Sequence, residues 1–319
     1  MKSLVWDQHA CLPLTVGTDV APLLRFASSS PTYVSVNAGY RPQSFADSAA
    51  LLGSFRSSID ACAGLRTVGT VDELRAAGAA GEIAVAFDLE DAAPLDGDLD
   101  NVARLADLGV RTVAPTYNSA NRAGSGCLDA ADAGLTRWGR DLVACLNASG
   151  VVPDGSHCGR RAGLDIAAAT SGPMVYSHSC MAAVWEHPRN ITDDQARACA
   201  ETGGVVGITG VGIFLGPNTP TLEAMARHLE YAVELIGIEH VGVSTDHSFD
   251  SEDFLAELAA NPDVFDESYT RWGPIRWMPP EDVIRLGAHL AGRGWSPSDI
   301  EAVTGGNFLR VAERSWARR

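Results

Sequence analysis

The chain has 319 residues and a formal net charge of −16, from 24 Lys and Arg against 40 Asp and Glu. This acidity excludes the basic surface that nucleic acids need and argues against docking on an anionic membrane. The 46% hydrophobic and 20% charged residues are typical of a globular protein, and the length fits either one large barrel or two medium domains.

No apolar run reaches the roughly 18 residues of a membrane span, and we expect no secretory signal at the N-terminus. The seven cysteines are odd in number and form no CxxC pair, so we interpret them as reduced thiols. These features predict a cytoplasmic protein.

Eight short, mostly continuous apolar runs predict parallel strands that are buried on both faces. They lie at 3–9, 32–38, 82–90, 111–117, 151–157, 174–178, 204–211 and 240–246. Helical patterns lie between them, and several of these end at glycine. The alternation predicts an α/β fold, a (β/α)8 TIM barrel, with a doubly wound open sheet as the alternative. We predict one barrel domain over 1–319, with a helical C-terminal tail, 250–319, packed on the barrel.

Chemically active side chains stand at the C-terminal ends of six of the eight predicted strands. They are His9, Glu90, Tyr117, His157, His178 and Asp246. In a barrel all six converge on the face where barrel enzymes carry out their chemistry. Imidazole nitrogens and carboxylate oxygens are zinc ligands, so this set predicts a metal site. The alternative for each histidine is a hydrogen-bonded core residue.

The remaining histidines are interpreted as structural or surface residues, with one left undecided. The structural set is His187, His228, His240 and His289, and the undecided residue is His247. Lys2 is the one lysine of the chain, so no plausible residue is left for a Schiff base or a carbamylated metal bridge. The sequence also lacks a phosphate loop, a GxSxG nucleophile elbow and an HExxH helix.

Motifs between residue 5 and about 311 resemble those of the renal (membrane) dipeptidase family, part of the amidohydrolase superfamily. They are His9 with Leu12-Pro13, Glu90, Asp154-Gly155-Ser156-His157, Ser177-His178-Ser179, His187-Pro188-Arg189-Asn190, 238–242 followed by Asp246, and 305–311. The resemblance implies a metal-dependent hydrolase that cleaves the amide of a dipeptide or of a dipeptide-like small molecule with a free carboxylate. It also allows a homodimer.

The resemblance further implies two zinc ions that share one glutamate. One ion would be held by His9, the residue at position 11 and Glu90, and the other by Glu90, His157 and His178. The cations would lower the pKa of a shared water and polarise the scissile carbonyl.

Two other residues take roles in substrate binding and proton transfer through the same resemblance. Arg189 would bind the substrate carboxylate as a bidentate clamp. Asp246 would carry the proton from the attacking water to the leaving nitrogen.

The sequence departs from the family pattern in the predicted pocket. Cys11 replaces an aspartate ligand; it is interpreted as a thiolate ligand, with a small buried hydrophobe as the alternative. Two zinc ions are therefore expected, and a single ion is the alternative. Tyr117 replaces a histidine and would donate a neutral hydrogen bond to the developing oxyanion. The stretch 246–250 also differs from the family motif.

Two functional alternatives remain at this point. The first is an amidohydrolase of the same fold that acts on a small molecule other than a peptide. The second is a relative with one metal or no catalysis that binds a small ligand.

Overall fold

The computed structural model describes residues 3–262 and 264–316. All eight predicted strands are present there, and two short strands, β3 and β10, add to them. The strands are β1 Val5–Cys11, β2 Thr32–Asn37, β3 Leu65–Thr67, β4 Ile83–Leu89, β5 Val110–Val113, β6 Val152–Pro153, β7 Val175–Tyr176, β8 Val205–Ile208, β9 Val241–Val243 and β10 His247–Ser248. The added strands escaped prediction because neither is an apolar run: β3 reads Leu-Arg-Thr and β10 reads His-Ser.

Helices connect the strands and form the outer layer. They are α1 Phe45–Ala61, α2 Val71–Ala80, α3 Asp100–Asp107, α4 Arg137–Ala148, α5 Arg160–Ala169, α6 Asp193–Glu201, α7 Gly212–Leu215, α8 Leu222–Ile236, α9 Ser251–Ala260, α10 Glu267–Thr270, α11 Pro280–Gly292, α12 Pro297–Glu301 and α13 Asn307–Ser315. Several of these helices begin with a capping box. At α2 the Thr70 side chain accepts a hydrogen bond from the Glu73 backbone N–H, and the Glu73 side chain accepts one from the Thr70 backbone N–H.

The strands pair in parallel around a closed ring. One sheet has the order β10-β1-β2-β4-β5-β6, with β3 on β4, and the other has β7-β8-β9. A parallel bridge between Asp154 and Val175 joins the sheets on one side. On the other side the Asp246 N–H donates to the His9 carbonyl oxygen at 2.9 Å. This closure confirms the predicted barrel over the doubly wound alternative.

The C-terminal segment packs at both ends of the barrel. At the end where the strands begin, Phe308 of α13 stacks on Trp6 with ring centroids 6.0 Å apart, and Trp6 packs on Tyr33 at 3.9 Å. At the opposite end Phe254 and Glu257 of α9 line a cavity. The barrel floor is thus filled by side chains, and the face at the strand C-termini stays open to a ligand. One domain over 1–319 stays a prediction.

The buried His228 of α8 predicts a pH dependence of stability. It accepts a hydrogen bond from the Met181 N–H at 3.1 Å and lies 3.3 Å from the Leu215 carbonyl oxygen. Burial lowers the pKa of His228 to about 4 from 6.5. At a pH between these two pKa values, the His228 side chain is protonated in the unfolded chain and neutral in the folded one. The free energy of unfolding therefore falls as the pH falls from about 6.5 to about 4.

Urea unfolding at a series of pH values measures this effect. The His228→Gln protein should show a slope of unfolding free energy against pH that is smaller by up to about 1.4 kcal/mol per pH unit in this window. His240→Gln is the matched control at a less buried site. Equal slopes for wild type and His228→Gln would contradict the assignment.

Candidate metal centre and active site

Four of the predicted ligands meet in one buried cluster at the C-terminal end of the barrel. Glu90 Oε2 lies 2.8 Å from His157 Nε2 and 3.5 Å from His178 Nε2, while Glu90 Oε1 lies 3.4 Å from His9 Nε2. The Nε2 atoms of His157 and His178 are 2.9 Å apart. Glu90 therefore presents one oxygen to each side, as a carboxylate between two cations would.

The other ring nitrogen of each histidine is bound to a protein acceptor. The three contacts are His9 Nδ1 to Asp88 Oδ1 at 2.9 Å, His157 Nδ1 to Asn118 Oδ1 at 2.8 Å, and His178 Nδ1 to Ser177 Oγ at 2.6 Å. Ser177 in turn donates to Asp154, so its oxygen accepts from the imidazole. With Nδ1 protonated, the Nε2 atoms of His9 and His178 each have a lone pair directed at the cluster, which is the arrangement of metal-bound histidines.

The electrostatics of the cluster favour a cation. Burial, together with Arg189, lowers the pKa of His157 to about 3, so this imidazole is neutral and can ligate. Burial acts to lower the pKa of His9, but the Asp88 and Glu90 carboxylates outweigh it and raise that pKa well above the usual value. The surroundings of His9 thus stabilise positive charge. Converging lone pairs and a buried carboxylate fit a divalent metal such as zinc.

Cys11 and Asp246 extend the cluster on the side of His9. The Cys11 Sγ lies 3.4 Å from His9 Nε2, and Asp246 Oδ1 lies 3.6 Å from that nitrogen and 3.9 Å from Cys11 Sγ. Cys11 follows His9 by two residues on β1, so both face the same side. Burial raises the pKa of the Cys11 thiol and raises that of Asp246 to about 7.

The donor atoms form overlapping groups, each with all its atoms within 4.8 Å of one another. They are His9 with Cys11 and Glu90, His9 with His178 and Asp246, and Glu90 with His157 and His178. The first and third groups contain the residues of the two expected zinc sites and share Glu90.

Backbone strain marks two residues of the cluster. His157 and Asp246 have positive φ values of 64° and 52°, in the left-handed region that non-glycine residues rarely adopt. Such conformations cost on the order of 1–3 kcal/mol and concentrate at functional sites. The fold holds these side chains in place against that cost.

A cavity of about 470 Å³ opens beside the cluster. Cys11, Glu90, His157 and Asp246 line it, together with Tyr117. The Tyr117 ring stacks on His157 at 4.3 Å between centroids, and the residue is only 4% exposed. Within the described part of the chain, no hydrogen bond is formed by the Tyr117 hydroxyl. That hydroxyl is free to donate to a ligand.

Arg189 lies behind the histidines and is not among the residues that line this cavity. It is 2% exposed, and its guanidinium donates to Ser179 Oγ at 3.0 Å and to the His178 carbonyl at 3.1 Å. Its Nε lies 3.2 Å from His157 Nδ1. In this position Arg189 supports the ligand histidines, and its role as a carboxylate clamp stays a prediction.

The residues that orient the ligands were not predicted from the sequence. Asn37 donates to Glu90 Oε1 at 2.5 Å, and Ser35 donates to Asp88 Oδ2 at 2.5 Å. Asn37 is the last residue of β2 and the last but one of the predicted strand, and Asp88 lies in β4, two residues before Glu90. Position at a strand end could have indicated both. His247, whose role the sequence left undecided, has its Nδ1 3.1 Å from the Met278 carbonyl oxygen. It belongs to none of the three groups of donor atoms described above.

Removal of the Asp88 carboxylate should weaken metal binding. Asp88→Ala leaves His9 Nδ1 without its acceptor, so the ring loses its tautomer and orientation. We expect metal affinity to fall by about 10–100-fold, the usual effect of losing such a partner. Competition titration with a fluorescent zinc chelator measures it, and Asp165→Ala, remote from the cluster, is the control. An unchanged affinity would show that Asp88 does not orient His9.

The described helices include none that is long and apolar enough to cross a membrane. The model of the membrane dipeptidase family (peptidase family M19) matches residues 38–267. The chain belongs to this family. It is accordingly a metallo-dipeptidase-like hydrolase, and the resemblance drawn from its motifs is confirmed.

Of two similar curated relatives, one is named as a dipeptidase. The protein in the pqqA 5′ region of Klebsiella pneumoniae is 30% identical over 73% of this chain and 83% of its own length. Dipeptidase verJ of Clonostachys rogersoniana is 32% identical over 65% of this chain but 48% of its own length, so the chain spans about half of that relative.

Two solved structures share the fold. An amidohydrolase from Pseudomonas aeruginosa superposes with a TM-score of 0.88 at 23% identity, over 99% of this chain and 97% of that one. A metallo peptidase from Rhodobacter sphaeroides, liganded with a phosphinate mimic of the dipeptide L-Ala-D-Ala, gives 0.78 at 20% identity, over 99% and 100%.

Proposed function

We propose that the protein is a zinc-dependent hydrolase that cleaves the amide of a dipeptide, or of a dipeptide-like small molecule with a free carboxylate, with a metal-activated water. One observation carries the proposal: three imidazole Nε2 atoms and both oxygens of Glu90 converge at the base of a cavity large enough for a small peptide. The family to which the chain belongs, and the dipeptide mimic bound by the Rhodobacter relative, support this substrate class.

His9, Cys11 and Glu90 would hold one zinc ion, and Glu90, His157 and His178 the other. When bound, zinc lowers the pKa of a coordinated water and polarises a carbonyl oxygen. The ligand histidines are fixed by Asp88, Asn118 and Ser177, so the set is organised before the metal arrives.

Asp246 and Tyr117 would serve the reacting groups directly. The Asp246 carboxyl faces the cluster and has a pKa that burial raises to about 7, near the value that suits a group which accepts and returns a proton. We propose that it moves the proton from the attacking water to the leaving nitrogen. The unpartnered Tyr117 hydroxyl would donate to the oxyanion that develops on the scissile carbonyl.

The number of metal ions depends on Cys11. Its Sγ faces His9 and Asp246 in a position where a thiolate could bind zinc at about 2.3 Å. We propose two ions, with a single ion as the alternative. Anomalous diffraction at the zinc edge distinguishes them: a second peak next to Cys11 supports two ions, and one peak between Glu90, His157 and His178 would exclude the binuclear site.

Metal analysis and a dipeptide panel test the proposed activity. Protein purified without chelator should contain zinc, and should hydrolyse dipeptides with L or D residues at the C-terminal position. Chelation should abolish hydrolysis, and added zinc should restore it. Each dipeptide is assayed beside its C-terminal amide, which tests for the free carboxylate and for the proposed Arg189 clamp.

Zinc-loaded protein that leaves every dipeptide intact would exclude the dipeptidase activity and favour a different amide substrate. A cytoplasmic location and a homodimer stay predictions.

A further inference from the structure

We propose that the active-site cavity selects a substrate with a basic side chain, whose guanidinium or ammonium group binds Glu257 and Asp253 of α9 at the end of the cavity away from the metal centre. This inference rests on the proposed function, because it specifies the substrate of that same site. The charge of the lining, its aromatic walls and the position of Glu257 support it.

The lining of the cavity is acidic. Its carboxylates are Glu90, Asp246, Asp250, Asp253 and Glu257, and none of the described residues that line it is a lysine or an arginine. Glu90 and Asp246 belong to the metal cluster, and Asp250 caps α9 by accepting from the Asp253 N–H at 3.0 Å. Asp253 and Glu257 remain available, and they lie four residues apart on one face of the helix.

Helix chemistry explains one of these two acids but not the other. Asp253 lies in the first turn of α9, where a negative charge is favoured by the helix dipole. Glu257 lies past that turn and is half-buried against the barrel mouth. It accepts a hydrogen bond from the Tyr40 hydroxyl through Oε2. No donor to its Oε1 exists among residues 3–262 and 264–316, so this oxygen is available to a ligand.

Six aromatic side chains also line the cavity: Tyr40, Tyr117, Phe214, Phe254, Tyr269 and Trp277. Aromatic faces next to carboxylates recognise organic cations, through cation–π attraction and ion pairing together. Tyr117 is only 4% exposed and lines this cavity, and its hydroxyl, unpartnered in the described structure, is available there to a polar ligand. Burial and the neighbouring Glu90 and Asp253 charges raise the pKa of Glu257, and a bound cation would offset that cost.

Two stacked tyrosine rings connect the metal centre to the acidic end of the cavity. Tyr117 stacks on His157 at 4.3 Å, and Tyr40 stacks on Tyr117 at 4.6 Å, between ring centroids. Glu257 accepts from the Tyr40 hydroxyl, so the two stacked rings connect it to His157. A group attached directly to the scissile amide stays near the ligands, whereas the end of an arginine or lysine side chain extends towards α9.

Matched dipeptides with arginine or its neutral isostere citrulline test the proposal. Each residue is placed at either position of an alanine dipeptide, with both enantiomers at the C-terminal position. For zinc-loaded wild type, kcat/KM should favour arginine over citrulline by about tenfold or more at one of these positions. Glu257→Gln should reduce that ratio towards one, and Asp253→Asn should reduce it less, because Asp253 is more exposed.

Glu252→Gln is the matched control, since Glu252 is an exposed acid on the same helix outside the lining, and it should keep the wild-type ratio. A wild-type ratio near one, or an equal fall in Glu252→Gln and Glu257→Gln, would overturn the proposal. Dissociation constants of the same peptides, measured by calorimetry, test the preference for a basic side chain separately from the proposed dipeptidase activity. If no peptide is cleaved, the dipeptidase activity fails, and the arginine-to-citrulline ratio of dissociation constants then decides the inference alone.

Discussion

Replacing His178 with alanine should abolish hydrolysis. His178 Nε2 lies 3.5 Å from Glu90 and 2.9 Å from His157 Nε2, so its loss removes one of three proposed ligands of a zinc ion. The metal contributes several kcal/mol to the transition state, and each 1.4 kcal/mol corresponds to about tenfold in rate. We expect kcat/KM for a dipeptide to fall by about 10³-fold or more, and zinc content to fall by one ion per chain.

The measurement combines steady-state kinetics with elemental analysis of the dialysed protein. His240→Ala is the control, because His240 contacts the Gly204 carbonyl away from the cluster. Its zinc content and kcat/KM should match those of wild type. A His178→Ala protein with full zinc and full activity would rule out the proposed centre.

The Asp246→Asn enzyme should retain zinc and lose turnover. Asparagine has nearly the same shape as aspartate but cannot accept and return a proton. A positioned proton carrier contributes about 10²–10⁴-fold, so we expect kcat to fall within this range while KM changes less. The plot of kcat against pH should also lose the change that protonation of the Asp246 carboxylate produces. Asp246 is assigned here to proton transfer and not to metal binding, so zinc content distinguishes the two roles.

Stopped-time assays at several pH values, with zinc analysis of each preparation, make this comparison. Loss of both zinc and activity would reassign Asp246 to the metal shell, where its oxygen lies 3.6 Å from His9 Nε2. Wild-type kcat would exclude any role in proton transfer.

The residues that define the cluster were accessible from sequence because they share a simple rule. Each follows or ends an apolar run, and the carboxyl ends of parallel strands meet on one face of a barrel. Glu90 after β4 and His178 after β7 obey this rule, and the structure places their side-chain atoms 3.5 Å apart. The His9 and Cys11 pair follows in the same way from the alternation of side chains along β1.

The position of Arg189 was not accessible in that way. The sequence places it in a loop after a ligand strand, and the family resemblance implied contact with the substrate. In the fold its guanidinium turns inward and donates to Ser179 and to the His178 carbonyl. The direction of a long flexible side chain depends on which acceptors surround it, and those acceptors are set by packing.

The sequence by itself determined the order of the eight main strands, the barrel and the side chains that converge at its mouth, because apolar periodicity and strand-end position are local properties of the chain. Only the tertiary structure decided which groups orient those ligands and what covers the cavity. Asp88 meets His9 across 79 residues, and Glu257 meets Tyr40 across 217. Contacts of that separation leave no local pattern, since they form only when distant elements pack together.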